Sequence, residues 1–251
     1  MKNYTKLLAG AIGLWAGVAA AADSPHAVTA QLGLTTDYVY RGISRSSEDP
    51  ALQGGLEYEY EPLGLYAGVW GSSIEFDSLA NDASTLELDW YGGLRGRFAN
   101  GIDWDLGGIW YSFPDQDQDR AGDFDYAEAR GQLGYRFANL PLTPRVAVFG
   151  AWSPDFFGED GDGLYGGGNL DLTLPREFLL GFGIGHQYVD GDRTSGRAGY
   201  EYTHWRAGIS RRFLGLNFDV SYHDSLNEDE CGRDLCDERV VFSVSTALDV
   251  F

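Results

Sequence analysis

Histidine side chains are the first candidates for catalysis, because imidazole exchanges protons near neutral pH. Of the four histidines in the chain, His186, His204 and His223 fall in segments that alternate polar and apolar residues. A hydrolase would need such a histidine beside a serine or an acidic pair, and the sequence has no Gly-x-Ser-x-Gly turn. A lipid hydrolase that uses His186 is therefore the least favoured function, and we predict no catalytic residue and no enzyme.

The acidic stretch after residue 114 has the pattern closest to a metal site. Asp115-x-Asp117-x-Asp119 has the spacing of a calcium loop, but Arg120 stands where that loop needs its glycine and Tyr126 where it needs its bidentate glutamate. A solvated acidic loop is the preferred interpretation. We predict no metal and no cofactor.

The two cysteines of the chain, Cys231 and Cys236, are five positions apart in an acidic stretch without strand character. An exported protein meets an oxidising compartment, in which neighbouring cysteines pair. Metal binding by these two thiolates is the weaker interpretation, because no histidine is adjacent. The sequence therefore predicts one local disulfide.

Charged residues of both signs occupy alternate positions in several segments. Alternate residues of a β-strand share a face, so these charges would line one side of a sheet. The candidates for a lumen constriction are Arg41, Arg95, Arg97, Asp103, Asp105, Glu128, Arg130, Arg206 and His223. Further interior positions of the same phase are Glu57, Glu59, Glu87, Asp89, Arg136, Asp171, Glu201 and Asp219. Two interpretations stay open: a filter that sorts solutes by charge, or a salt-bridged plug that closes a narrow barrel.

The elements that must position these charges are strands, because alternation with period two recurs along the chain. In residues 85–98, for example, leucine, tryptophan and phenylalanine alternate with glutamate, aspartate and arginine. The twelve predicted strands cover residues 27–39, 51–61, 65–74, 85–98, 102–113, 125–137, 145–153, 164–174, 178–188, 198–213, 216–224 and 239–251.

The connections between the predicted strands alternate in length. Tight turns are predicted at residues 62–64, 99–101, 175–177 and 214–215, with a moderate one at 138–144. The remaining connections are long and acidic. A three-residue turn that ends in Gly101 would pair Arg97 with Asp103, and a two-residue turn at 214–215 would pair Ile209 with Val220 and Arg206 with His223.

A soluble sandwich or a lipocalin-like barrel would show the same alternation, with the apolar face turned inward. A membrane barrel is favoured by the number of strands, by their lengths and by aromatic residues near the segment ends, which suit the two headgroup belts. The predicted fold class is all-β: a transmembrane antiparallel up-and-down barrel of about twelve strands, with short periplasmic turns and long acidic extracellular loops.

The start of the chain has the order of a secretory signal. Lys2 and Lys6 precede an apolar run over residues 7–22 that ends in three alanines. We expect residues 1–22 to be cleaved and residues 23–251 to form a single outer-membrane barrel domain. A formal net charge of −20 argues against a nucleic-acid partner.

Residues 35–44, TTDYVYRGIS, and residues 49–55, DPALQGG, resemble the signature of the TorF porin family, as does the late segment SYHD at 221–224. The resemblance implies an outer-membrane barrel with a channel role and supplies no catalytic residues. Phe251 partly matches the terminal signal read by the barrel assembly machinery, although its phase differs from that of the apolar face before it.

The predicted function is an outer-membrane porin for passive diffusion of small hydrophilic solutes or ions. A weak preference for cations is expected, because acidic residues concentrate in the long loops. The main alternative is a structural or adhesive barrel that does not conduct. The expected partners are outer-membrane lipid and lipopolysaccharide, the barrel assembly machinery, and small solutes or ions.

Overall fold

The computed structural model of the chain describes residues 24–75, 84–116, 124–158, 161–191, 198–226 and 234–250. The strands in these ranges are β1 (His26–Thr35), β2 (Val39–Tyr40), β3 (Ile43–Ser44), β4 (Ala51–Tyr60), β5 (Leu65–Ser73), β6 (Leu86–Arg97), β7 (Asp103–Ser112), β8 (Tyr126–Arg136), β9 (Arg145–Ser153), β10 (Gly163–Thr173), β11 (Phe178–Val189), β12 (Tyr200–Phe213), β13 (Leu216–Ser225) and β14 (Arg239–Asp249). Two short 3-10 helices cover Pro175–Glu177 and Asp234–Cys236. Within the described ranges, no helix has the length and hydropathy to cross a membrane.

Twelve of these strands form one closed antiparallel barrel, and β2 and β3 form a separate two-stranded hairpin. Strand β1 pairs with both β4 and β14, which closes the ring. The predicted fold class and strand number are thus confirmed. The predicted strand bounds agree within a few residues. The first strand ends at Thr35 rather than at residue 39, because the chain turns into the barrel there.

The short turns set the register that the sequence predicted. The predicted cross-strand pairs that the structure contains are Arg97 with Asp103, Ile209 with Val220, and Arg206 with His223, and the next pair on the same side of β6 and β7 is Arg95 with Asp105. Gly101 and Gly215 have φ values of 88° and 83°, which glycine adopts without strain in tight hairpin turns. Because a slip of one residue would exchange the two faces of a strand, this register decides which side chains enter the barrel.

The two faces of the barrel wall differ in polarity. On β6, Trp90 is 54% exposed on the outer surface, whereas Glu87 has no exposed surface and lies inside. Leucine, valine and phenylalanine dominate the exposed outer surface on the other strands as well. An apolar outside and a charged inside fit a barrel in lipid, and they exclude the soluble sandwich and the lipocalin-like barrel.

The two ends of the barrel carry different connections. Short connections join the strands at one end, at residues 61–64, 98–102, 137–144, 174–177 and 214–215. Long connections join them at the other end, at residues 36–50, 74–85, 113–125, 154–162, 190–199 and 226–238. In outer-membrane barrels the short turns face the periplasm, so the two ends are called periplasmic and extracellular below.

The first long connection, residues 36–50, folds into the barrel and is called the inward loop. It contains the β2–β3 hairpin, and its residues 37–41 are buried. Tyr38 and Tyr40 pack in one apolar cluster with Trp70, Tyr111 and Tyr126 of the wall. This inward fold is the largest difference between the predicted and the observed architecture, because the alternation of a strand carries no information on where a loop goes.

Candidate functional site

The tip of the inward loop is a two-residue hairpin turn. Tyr40 pairs with Ile43, and the two residues between them, Arg41 and Gly42, have φ values of 50° and 83°. A turn with two positive φ angles matches the twist of a short hairpin and favours glycine in its second position. Gly42 also lies against β12, since a Cβ atom there would be 2.5 Å from the Cβ of His204. A side chain at residue 42 would therefore push the hairpin away from the wall.

The base of the inward loop is held by Asp37. Its carboxylate accepts hydrogen bonds from the hydroxyls of Ser44 (2.6 Å) and Ser46 (3.0 Å), which close the loop on itself. Arg239, at the start of β14, donates to the same carboxylate over 2.9 Å. Asp37 thus joins both arms of the hairpin to the barrel wall.

Arg45 reaches from the inward loop to the barrel wall at β6 and β8. Its Nη1 forms a 2.5 Å ion pair with Glu87 Oε1, and its Nη2 donates to the Tyr126 hydroxyl over 3.2 Å. The guanidinium carbon lies 3.8 Å from the centre of the Tyr40 ring. Both partners of the ion pair are buried, so this charge pair is shielded from bulk water.

Arg41 makes an equivalent contact with a second part of the wall. Its Nη2 is 2.6 Å from Glu128 Oε2, and its Nη1 donates to Gln187 Oε1 over 2.8 Å. The guanidinium carbon lies 4.0 Å from the centre of the Tyr165 ring. Each arginine of the inward loop therefore meets one carboxylate and at least one aromatic face.

Nearer the periplasmic end, the interior charges pair between wall strands. Arg95 on β6 forms 2.6 Å ion pairs with Glu57 and Glu59 on β4. Tyr66 on β5 donates to Asp105 on β7 over 2.6 Å. These contacts tie four neighbouring strands together along the inside of the barrel.

Two looser ion pairs lie on the other side of the interior. Arg145 is 3.8 Å from Asp171, and Arg206 is 3.6 Å from Asp219. At the periplasmic rim, Arg97 pairs with Asp103 over 2.5 Å, and its side chain is 43% exposed. Charge pairs thus occur at every level of the interior from the inward loop to the rim.

A cavity of about 270 Å³ lies within the barrel beside the inward loop. Of the predicted constriction residues, those that line it are Arg41, Asp105, Glu128, Arg130, Arg206 and His223. The other three, Arg95, Arg97 and Asp103, lie on β6 and β7 toward the periplasmic end. The cavity is large enough for several waters or a small solute, and its lining offers both charge signs.

Two interior assignments need correction. Glu201 was predicted to face the interior, which is wrong: its side chain is 56% exposed on the outer face, and Tyr202 is the buried neighbour. Strand β12 is unbroken, and Glu201 and Arg206 are an odd number of residues apart, so the two side chains cannot both face the interior. Arg45 was missed, because it lies in a loop to which no strand phase applies. Its spacing of four from Arg41 across the turn is the signal that could have suggested it.

The histidines do not form a hydrolytic site within the described part of the chain. His223 Nε2 is 3.0 Å from Ser221 Oγ in the interior, but no described carboxylate contacts His223 to orient it as a base. On the outer face, His186 Nδ1 is 2.9 Å from Thr203 Oγ1, and its Nε2 is 3.7 Å from Glu201. The hydroxyl of this cluster belongs to a threonine rather than to a serine, and the side chains of His186 and Glu201 are both exposed on the outer surface.

The acidic loop after β7 is partly described. Asp115 accepts hydrogen bonds from the backbone N–H of Thr85 (2.9 Å) and from the hydroxyls of Ser84 and Thr85. Burial acts to raise the pKa of the Asp115 carboxyl, but these hydrogen bonds outweigh it and lower that pKa. Asp115 therefore connects its own loop to the loop before β6, which agrees with a structural role for this residue. Asp117 and Asp119 lie outside the described residues.

Three further predictions fall wholly or partly outside the described residues. Cys236 is fully buried, but Cys231 is not described, so their pairing stays a prediction. The signal segment 1–22 and the terminal Phe251 are also outside the described ranges.

Comparisons with known proteins add a family and a set of structural neighbours. A family model described as "Bacterial protein of unknown function (Gcw_chp)" matches residues 19–248. This match does not test the TorF resemblance of residues 35–55, which stays a resemblance. A comparison with curated proteins gave no match.

Among solved structures, similar barrels are those of outer-membrane porins and channels. The NanC porin has a TM-score of 0.54 at 9% identity, with 88% of this chain and 98% of that chain covered. The KdgM porin in complex with disordered oligogalacturonate has a TM-score of 0.53 at 10% identity, with 88% and 97% covered. The COG4313 outer membrane channel from Pseudomonas putida F1 has a TM-score of 0.51 at 16% identity, with 89% and 94% covered. Identities this low establish the fold alone.

Proposed function

The chain belongs to the Gcw_chp family of bacterial proteins of unknown function, and we propose that it is an outer-membrane porin whose extracellular entrance is closed by the inward loop. The observation that carries the proposal is the closed barrel with an apolar outer face, a charged interior and a cavity of about 270 Å³. Charged side chains that face water in the lumen stay hydrated and carry no burial penalty. A charged interior is therefore compatible with a water-filled path through the membrane.

The proposed solutes are small and hydrophilic. Among the structural neighbours, the KdgM porin was solved with an oligogalacturonate, an acidic oligosaccharide. In this chain Arg41, Arg45 and Arg95 are each held by a glutamate, so these arginines are already neutralised. We therefore do not propose an acidic solute for this chain. The proposed solutes are small ions or small hydrophilic molecules, and the proposed pore has a weak preference for cations.

The proposed location is the outer membrane, reached after removal of residues 1–22. The exposed leucine, valine and aromatic side chains of the outer face would contact lipid, and the extracellular rim would contact lipopolysaccharide. Insertion by the barrel assembly machinery and the Cys231–Cys236 disulfide are part of the same proposal.

Planar-bilayer recording of the purified, folded chain in a salt gradient tests the proposal. We expect small or infrequent conductance steps, and we expect the sign of the reversal potential to indicate a preference for cations. A reversal potential of the opposite sign would contradict the cation preference alone. Complete absence of conductance, with folding verified by heat-dependent gel migration, would favour the structural or adhesive barrel.

A lipid hydrolase is a poorer fit to the geometry. Among the described residues, His186 is the histidine that meets both a hydroxyl and a carboxylate on the outer face, and that hydroxyl belongs to Thr203. We expect no lipase activity from the purified barrel and no difference for His186→Ala. Activity that disappears with His186→Ala would reverse this conclusion.

A further inference from the structure

The charges nearest the extracellular end of the interior are divided between the wall and the inward loop. On β6 and β8 the first interior charges are carboxylates: Glu87, Asp89 and Glu128, together called the acidic wall. Their guanidinium partners, Arg41 and Arg45, come from the inward loop rather than from these strands. Withdrawal of the loop would therefore leave the acidic wall without these two cations.

The wall groups around the Arg41 guanidinium have the chemistry that recognises an organic cation. A carboxylate beside an aromatic face binds guanidinium or ammonium through an ion pair and a cation–π contact together. Glu128 and Tyr165 provide this pair for Arg41, and Gln187 adds a hydrogen-bond acceptor. All three belong to the barrel wall, so they stay in place when the loop moves.

The acidic wall also has acceptors that the arginines do not use. Glu87 Oε2 and Asp89 Oδ1 are buried and accept no hydrogen bond from an N–H group or a neutral hydroxyl of the described residues, and the two carboxyl groups lie within hydrogen-bonding reach of each other. Glu87 has no exposed surface and Asp89 very little. Two buried carboxyl groups in contact can share a proton, and a cation that reaches them would replace that proton as the balancing charge.

We infer that the acidic wall is a binding site for solutes that carry guanidinium or ammonium groups, and that Arg41 and Arg45 occupy it when the inward loop is closed. An incoming cation takes the place of a loop arginine, and no covalent step is involved. Within the described residues, no three acidic, histidine or cysteine side chains converge as a metal site requires, so an organic cation fits better than a metal ion. The inference rests on the proposed porin in that it names the solute class.

Calorimetric titration of the folded full-length barrel with L-argininamide tests the site without requiring conductance. The variant Arg41→Gln/Arg45→Gln should bind at least about tenfold more tightly than the unchanged chain, because the tethered arginines no longer compete. The variant Arg176→Gln/Arg211→Gln has the same change of charge away from the acidic wall and should bind as the unchanged chain does. Equal affinity in all three proteins would overturn the inference.

Two further variants make the test specific. Adding Glu128→Gln to Arg41→Gln/Arg45→Gln should weaken the binding of L-argininamide, and N-acetyl-L-citrullinamide, an analogue without a cationic group, should bind none of the proteins. Unchanged affinity after the loss of Glu128 would place the ligand outside the acidic wall. Should the double arginine variant fail to fold, Gly42→Ala displaces the loop with all charges retained and should also bind more tightly.

Bilayer recording separates this inference from the proposed function. Binding of L-argininamide to a barrel that never conducts would support the cation site and contradict the proposed porin function. If the barrel conducts but L-argininamide neither binds to it nor blocks it, the porin function would be supported and the cation site contradicted.

Discussion

The two halves of the barrel interior balance their charges in different ways. In the periplasmic half, Arg95 lies on β6 and its partners Glu57 and Glu59 on β4, so both signs belong to the wall. In the extracellular half, Glu87 and Glu128 belong to the wall, but their arginine partners belong to the inward loop. Wall pairs can separate only when the barrel deforms, whereas loop pairs separate when one segment moves.

The inward loop has little main-chain structure to hold it. Strands β2 and β3 are two residues each, and a hairpin this short is marginal by itself. Its closed position depends instead on side-chain contacts: the two arginine ion pairs, the Asp37–Arg239 ion pair and the packing of Tyr38 and Tyr40. The difference therefore supports the proposal that the periplasmic half is a fixed lining and that the inward loop in the extracellular half is a closure.

The largest effect is expected where a loop arginine loses its carboxylate. Glu87→Gln leaves the buried Arg45 without its ion pair and should disfavour the closed loop by about 3 to 5 kcal/mol. Trypsin cleavage after Arg41 and Arg45, both buried in the closed loop, measures the opening. Cleavage should accelerate about a hundredfold or more.

The matched change in the periplasmic half is Glu57→Gln, which removes the same charge. Arg95 keeps its 2.6 Å contact with Glu59, so loop cleavage should stay near that of the unchanged chain. Equal acceleration by Glu57→Gln and Glu87→Gln would show that the two halves do not differ in the way described.

A somewhat smaller effect is expected from Gly42→Ala. The new Cβ would overlap His204, and φ at residue 42 is 83°, so the closed turn should lose about 2 to 4 kcal/mol. Single-channel open time should lengthen by at least about tenfold. Gly215→Ala is the matched control, because Gly215 has the same φ of 83° in a periplasmic turn with open space around it. Similar open times in the two variants would mean that the lengthening does not come from displacement of the inward loop.

The smallest effect is expected from Arg97→Gln at the periplasmic rim. The Arg97–Asp103 pair is partly open to solvent, so its loss should change thermal stability by less than about 1 kcal/mol. Trypsin cleavage of the inward loop should be unchanged. Faster loop cleavage in Arg97→Gln would show that the periplasmic half controls the closure.

The sequence was sufficient for the barrel wall and insufficient for the closure. Strand faces and turn lengths constrain each other, so the pairing of Arg97 with Asp103 could be predicted from residues 95–105 alone. The direction of the inward loop depends on contacts between residues far apart in the chain, such as Arg41 with Glu128, and periodicity does not encode these. Arg41 was placed inside by extending the first strand, whereas it reaches the interior through the hairpin. Glu201 was misplaced because it was assigned to the same face as Arg206, from which it is an odd number of residues away on one unbroken strand.

The same limit applies to the choice between a filter and a plug. The alternating charges predicted that acids and arginines would meet inside the barrel, and the structure pairs them at each level. Whether a pair lines a path or closes it depends on which segment carries the charge. In this chain the wall carries the lining charges, and residues 36–50 are the proposed closure.

The most direct test of this account compares two shortened barrels in planar bilayers. One replaces residues 38–46 of the inward loop by a short Gly-Ser linker, and the other makes the same replacement at residues 139–143 of a periplasmic connection. We expect the first to conduct at least about tenfold more than the unchanged chain, with a stronger preference for cations, and the second to conduct as the unchanged chain does. Equal conductance of all three folded proteins would contradict the claim that the inward loop closes the barrel.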